Sequence, residues 1–398
     1  MSIIYDSVFL PIIGYAAPAW ADGLGKVHID RKLQSAQRRA LLRICRAYSM
    51  APTAALQVIA SKLPVTLHLE IAVQRWRMRK GQNILLNGVI FDNIESTNSC
   101  TPSVPPYDWP YIGGQPWPDQ SFSVFTDGSK NNDGVGCAFV VYHGNLEVYN
   151  FSDRLGNTCS AFQAELWAIL KAVKWSNEEL SNTNINLFTD SSSSLQAIHN
   201  FNWGHPIVNE ILREMTKNIN RFSVVWVRGH AGVLGNERAD ELARAASVSS
   251  GTPTYTATPQ NYIISSLKEN ATELWQGTWN LRTNSITRDF FPTVSASNHH
   301  YIEHRTTQFY TGHGKFNSYL FRFNKTTEQN CELCNIPDGA RHYLLQCPML
   351  DDKRSAILSL LPSSGNWPQD LHVLLQDNNL FQAFRDLVTS YFRRTTVN

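Results

Sequence analysis

The sequence predicts an α/β fold for its middle third, with helices packed on a mixed sheet, set in a modular chain with helical flanks. Three observations predict it. Short apolar runs alternate with amphipathic helical patterns between about Gln120 and Ser250. Stretches rich in Pro, Gly, Ser and Thr close that region at both ends. A length of 398 residues also exceeds one ordinary core. Hydrophobic content of 42% and 11 Trp residues argue for packing rather than extensive disorder.

The front, residues 1–99, reads as a helical basic segment. From Asp30, an expected N-cap, Leu33, Ala36, Ala40, Leu41 and Ile44 recur at helical spacing. Lys32, Arg39, Arg43 and Arg46 form the opposite face, a stripe able to track a nucleic-acid backbone or simply to face water. A second basic helix ends in Arg75-Trp-Arg-Met-Arg-Lys80. The first residues, broken by Asp6 and Pro11 and without a basic start, read neither as a signal peptide nor as a span. No membrane partner is expected.

Residues 100–119 carry six prolines and Gly113-Gly114, so they read as a linker. Residues 120–250 are the α/β unit. A linker and helical connector (251–300), a Cys/His region (301–350) and a helical tail (351–398) follow, with Asp351-Asp352 suited to a helix N-terminus. The net charge of +2 hides an asymmetry: basic and acidic residues number 12 and 7 before residue 119, 10 and 14 from 119 to 250, and 13 and 12 thereafter. An acidic middle that handles a polyanion needs divalent cations, whereas a basic front can hold phosphates directly.

In the middle unit the acids recur in one grammar. Ser123-Val-Phe-Thr-Asp127 is an apolar strand with Asp127 expected at or near its end. Asn186-Leu-Phe-Thr-Asp190 repeats the pattern before a Ser-rich helix start. Glu165 borders the core-facing side of a helix with apolar residues at 162, 166, 169, 170 and 173. Asp240 lies on a helix that follows the strand Ser223–Arg228 and the loop Gly229-His230-Ala231-Gly232. Converging carboxylates repel one another and gather protons unless cations neutralise them, so Mg²⁺ is the natural partner, with Mn²⁺ as an alternative. Two such ions about 4 Å apart activate water and stabilise the leaving 3′ oxygen of a phosphodiester. Each Thr-Asp pair alone is more often a turn or helix cap.

The ordered set Thr-Asp127-Gly-Ser, Phe-Gln-Ala-Glu165-Leu, Thr-Asp190-Ser and Gly-His230-Ala-Gly, followed by Asn236-Glu-Arg-Ala-Asp240, resembles the type 1 ribonuclease H family. That resemblance implies a mixed five-stranded sheet with flanking helices. It also implies two Mg²⁺ ions on Asp127, Glu165, Asp190 and Asp240, cleavage of RNA paired to DNA, and products with 5′ phosphate. By the same resemblance His230 is the mobile histidine assisting proton transfer or product release. Asn236 matches the start of the final helix, where it is also a good N-cap, and is a candidate substrate contact. Gly128, Ser129 and Ser160 are further candidates for meeting RNA 2′-hydroxyls. Ala161-Phe162 depart from the polar residues of many cellular members and point to the retroelement branch.

Cys331-x2-Cys334-x7-His342-x4-Cys347 supplies two close ligand pairs suited to structural Zn²⁺, a knuckle also able to hold single-stranded nucleic acid. Seven cysteines without a disulfide-like spacing suggest a reducing, intracellular setting, with nucleus or cytoplasm unresolved. The front, with Leu10-Pro-Ile-Ile-Gly-Tyr-Ala-Ala-Pro-Ala-Trp20, and the tail, with Thr311-Gly-His-Gly314 and the Cys/His set, are similar to the C-terminal part of non-LTR retrotransposon (R1/Jockey-like) reverse transcriptases. No aromatic-x-Asp-Asp polymerase hairpin precedes the nuclease-like unit, so the chain is expected not to polymerise DNA and resembles a remnant of such an element. The expected function is an RNA/DNA-hybrid endoribonuclease; the alternative is a catalytically inactive nucleic-acid-binding remnant. An integrase- or resolvase-like nuclease is disfavoured by the spacing from the Gly-His loop to Asp240.

Overall fold

The computed structural model describes residues 1–96, 111–112, 115–117, 121–200, 204–294, 302–361 and 370–395. It divides into two compact units, one of residues 77–266 and one formed from residues 1–76 together with 267–398. Most of the expected linker at 100–119 lies outside the described residues.

The first of these units is built on a sheet of β1 (Tyr111–Ile112), β2 (Phe122–Lys130), β3 (Val135–His143), β4 (Leu146–Leu155), β5 (Asn184–Thr189) and β6 (Arg221–Trp226). Strand order is β1-β6-β5-β2-β3-β4. β2, β3 and β4 form an antiparallel meander, while β5 and β6 run parallel to β2 and extend the sheet on its other side. The five expected strands are therefore present. A sixth, two residues long, comes from the Pro-rich segment and pairs in parallel with β6. β3 is buried along nearly its whole length, which explains why Cys137-Ala-Phe-Val-Val reads as one continuous apolar run.

Among the described residues four helices cover this sheet: α1 (Ala161–Glu179), α2 (Ser192–His199), α3 (Pro206–Met215) and α4 (Leu234–Ser247). α1 starts on a capping box, in which the Ser160 hydroxyl accepts from Gln163 N–H and the Gln163 side chain accepts from Ser160 N–H. Its Leu166, Ile169, Leu170 and Val173 meet Val124, Val141, Ile185, Leu187 and Val224 of the sheet in one core, which Ile207, Ile211 and Leu212 of α3 complete. α4 buries the small residues Ala239, Ala243 and Ala246, so its backbone lies close to β2 and β3.

In the second unit, residues near both ends of the chain share one core. Leu41, Cys45, Leu56 and Ile59 pack in the same cluster as Trp279, Phe309, Tyr310, Phe384 and Tyr391. The Thr307 hydroxyl donates to the Cys45 carbonyl at 2.8 Å, binding the two segments together. The front helix spans Val27–Cys45, with Lys26 at its N-cap. Asp30 is therefore not the cap but stands in the first turn, accepting from Gln34 at 2.8 Å. Lys32, Arg39, Arg43 and Arg46 are exposed as the pattern predicts. Asp351 and Asp352 begin the helix Asp351–Leu360. Among the described residues no single helix is long and apolar enough to cross a membrane; a bent pair, Ser2–Gly14 and Ala17–Gly23, passes by length and composition only.

Candidate active site

Register places the first two acids. β2 and β5 pair in parallel from Phe122↔Ile185 to Thr126↔Thr189, so Asp127 and Asp190 leave the last pair side by side. Asp127 does not end its strand, because β2 continues to Lys130 as a hairpin with β3. What ends at Thr126 is the pairing with β5. Buried Thr126 donates to the Phe188 carbonyl at 3.2 Å, and Thr189 Oγ1 accepts from Ser191 N–H at 3.2 Å. The threonines thereby fix the strand-to-loop transition on which the acids sit.

Glu165 comes from the first turns of α1, which crosses this point because Gly128 admits it. A Cβ on Gly128 would lie 2.3 Å from the Glu165 backbone nitrogen, closer than any side chain tolerates. One ligand atom each from Asp127, Glu165 and Asp190 lies within 4.8 Å of the others. The Gly128 N–H faces the carboxylates of Asp127 and Glu165. Glu165 Oε2 is buried without a hydrogen-bond partner.

The electrostatics follow from this crowding. Burial first, then Asp190 and Asp240, push Asp127 up to about 7, against the opposing pull of Arg244 and the Gly128 N–H. Burial, followed by Asp127 and Asp190, holds Glu165 well above the carboxylate range. Three acids with an orphaned buried oxygen match what hard divalent cations require, namely several oxygen ligands of net negative charge.

The other candidate residues are placed less uniformly. Asp240 stands on α4 near enough to raise both Asp127 and Glu165, but it lies outside the mutual triad and is ion-paired to Arg244, one helical turn on. That i, i+4 spacing is visible in the sequence and could have flagged the pair. Asn236 is not an N-cap: Val233 caps α4, and Asn236 is buried in its first turn, donating to Asp190 Oδ2 at 3.2 Å. Its Oδ1 is buried without a partner. His230 is exposed at φ +53 in the loop after β6. Its neighbour Gly229 abuts Asp190, where an added Cβ would sit 2.7 Å from Oδ2. Ser129 is half-buried on β2, and Ser160 caps α1. Trp226 Nε1–H donates to the Asp190 carbonyl at 3.0 Å, a contact that no local pattern announces.

The second ligand set is also assembled. Cys331, Cys334, His342 and Cys347 each bring one ligand atom within 4.8 Å of the rest. Asn330 bridges Pro337, and Asn335 N–H returns to the Cys331 carbonyl at 2.8 Å, folding a tight loop around the first pair. The helix Ala340–Leu345 carries His342. Backbone N–H groups of Leu333 and Cys334 face the Cys331 sulfur, and that of Met349 faces Cys347. Both ring nitrogens of buried His342 lack a hydrogen-bond partner. A tetrahedral soft-ligand cation such as Zn²⁺ fits a donor set left unsatisfied in this way.

A mixed sheet of this order, with three acids gathered where its parallel ladder ends, defines an α/β enzyme of the ribonuclease H fold class. The family model for RNase H matches residues 119–248. The chain is 31% identical over 137 residues to the ribonuclease H of Cyanothece sp., covering 86% of that protein and 31% of this chain. It is 30% identical over 149 residues to the ribonuclease H of Pseudomonas fluorescens, covering 89% of that protein and 31% of this chain. A stretch of 91 residues is 33% identical to a retrovirus-related Pol polyprotein from a type-1 retrotransposable element of Nasonia vitripennis; it covers 23% of this chain and 22% of the polyprotein's length. Among solved structures, RNase H1 of Halobacterium salinarum matches at 22% identity, covering 96% of that chain and 32% of this one, with a TM-score of 0.27. The chain belongs to the ribonuclease H family through residues 119–248.

Proposed function

We propose that this chain is an endoribonuclease that hydrolyses the RNA strand of RNA/DNA hybrids with two divalent ions, as a retrotransposon-derived fragment. The observations that carry the reading are the triad of Asp127, Glu165 and Asp190, gathered within 4.8 Å of one another, and the buried, unpartnered oxygen of Glu165. In this reading these three residues and Asp240 hold Mg²⁺, or Mn²⁺ in its place. When bound, such ions supply a water-derived nucleophile at neutral pH and stabilise the departing 3′ oxygen, leaving 5′ phosphate. Asn236 holds Asp190 in position, and exposed His230 moves a proton or assists product release. Gly128, Ser129 and Ser160 meet the 2′-hydroxyls of the RNA strand, the groups that separate RNA from DNA.

Cys331, Cys334, His342 and Cys347 hold structural Zn²⁺ in the same reading, in a reducing intracellular compartment that keeps the thiols available. One observation favours a second reading, in which catalysis is lost and nucleic-acid binding remains: Asp240 is neutralised by Arg244 rather than gathered with the triad.

Incubation of the whole chain with labelled RNA/DNA hybrid and Mg²⁺, against duplex DNA and duplex RNA, separates the two. Hybrid-specific cleavage supports the nuclease. Tight hybrid binding by well-folded protein without cleavage supports the remnant.

A further inference from the structure

The unit formed by the two ends of the chain holds a basic cavity of about 610 Å³ that the carboxylate site does not use. Arg282, Arg322 and Arg341 line it together with His313 and Asn284, and no carboxylate does. Arg341 is already paired with Asp289. Arg282 and Arg322 are exposed and make no ion pair among the described residues. Two unneutralised guanidinium groups around one concavity create a local positive potential that favours an anion, and their planar forks suit a phosphate.

Aromatic faces adjoin these charges. From His313 in the cavity wall the rings lead outward, to Tyr319 at 5.2 Å and from there to Phe323 at 5.1 Å. Phe321 and Phe323, the chain neighbours of Arg322, are each 42% exposed where the short helix Asn317–Phe321 ends. Exposed rings interleaved with an unpaired arginine suit a strand whose bases are unstacked and free to lie on an aromatic face. A duplex hides its base faces, and an acidic peptide would answer the arginines but leave the rings uncovered. None of the four Cys/His ligands lines the cavity.

We propose that this cavity binds a segment of single-stranded nucleic acid, with phosphate between Arg282 and Arg322 and a base on Phe321 or Phe323. The site stands independently of the catalytic reading.

The test uses the whole chain, without added divalent ions, and fluorescence anisotropy of a labelled oligothymidylate at several salt concentrations. Replacing both Arg282 and Arg322 with Ala is expected to weaken binding about tenfold or more and to flatten the salt dependence by about one to two in slope. Phe321→Ala with Phe323→Ala is expected to weaken binding about fivefold or more while leaving the slope unchanged. Should that pair lower the melting temperature, Phe321→Ala and Phe323→Ala are read singly, Phe321 being 42% exposed and without a ring partner among the described residues. Unchanged affinity in either the arginine or the phenylalanine variants overturns the proposal, as does equal competition by polyglutamate. Hybrid cleavage by the same proteins with Mg²⁺ restored keeps the two readings apart: variants that lose oligothymidylate binding but still cleave place this site outside the catalytic one, whereas a parent chain that binds without cleaving leaves this site standing and overturns the nuclease reading alone.

Discussion

Asp127 and Asp190 each follow one member of an in-register pair, Thr126 opposite Thr189, so adjacent parallel strands deliver two carboxylates at the same level. Adjacent strands lie about 4.8 Å apart. The Asp190 carboxylate adds to burial in holding the proton on Asp127, and Glu165 descends from α1 onto the same point.

Asp190→Asn is expected to abolish hybrid cleavage, by about a thousandfold or more, while the melting temperature stays level or rises. The amide keeps the shape of the side chain and still accepts from Asn236, but it removes one charge from a repelling group. Cleavage by the purified variant at the parent rate would take Asp190 out of the metal site.

Asp127 titrates near 7 in the fold, and Glu165 well above its ordinary range. Unfolded, both titrate near about 4. The folded state thus holds their protons more tightly; the stability that Asp127 contributes is full below about pH 4 and lost as pH rises through about 7, and Glu165 acts in the same direction. For Asp127 alone the loss is at most about 4 kcal/mol. Thermal unfolding across pH, with and without Mg²⁺, should show stabilisation by the ion that is small at pH 5 and large at pH 8. An equal effect at both would contradict the pairing.

The two close glycines should separate fold from function. In Gly128→Ala the new methyl meets the backbone of α1, which cannot yield without moving the helix, so destabilisation of about 2 kcal/mol or more is expected by chemical denaturation. In Gly229→Ala the atoms nearest the methyl all belong to the Asp190 side chain, its Oδ2 first, rather than to a helix backbone. Stability should stay within about 1 kcal/mol of the parent while cleavage falls at least tenfold.

Asn236→Ala removes the amide that orients Asp190 and is expected to cost about 10- to 100-fold in Mg²⁺ affinity, read from the metal dependence of cleavage. An unchanged metal dependence would reduce Asn236 to a packing residue.

Cys334→Ser should release about one equivalent of zinc from the whole chain and destabilise the unit whose core includes Cys331 and Cys347. Zinc content equal to that of the parent would refute the ligand set.

The local patterns were sufficient for the elements that carry the acids. Thr-Asp at the end of an apolar run, twice, and Glu165 beside a helical stripe are short-range signals, and the strands and helix they predict are present. Other features were not legible. Asp30 looks like a cap because the capping preference is local, yet the helix begins earlier, at Val27. Asn236 looks like a cap for the same reason, and its bond to Asp190 spans 46 positions.

By itself, then, the sequence determined the α/β character of the middle unit and the identity of its acids, because side-chain periodicity and turn chemistry act over a few residues. Only the tertiary structure decided which acids meet. It gathered Asp127, Glu165 and Asp190, left Asp240 with Arg244, and joined Leu41 and Cys45 to Phe309 and Tyr391 in one core. Apolar burial is non-directional and records no partner, so contacts across hundreds of positions are fixed only when the whole surface packs.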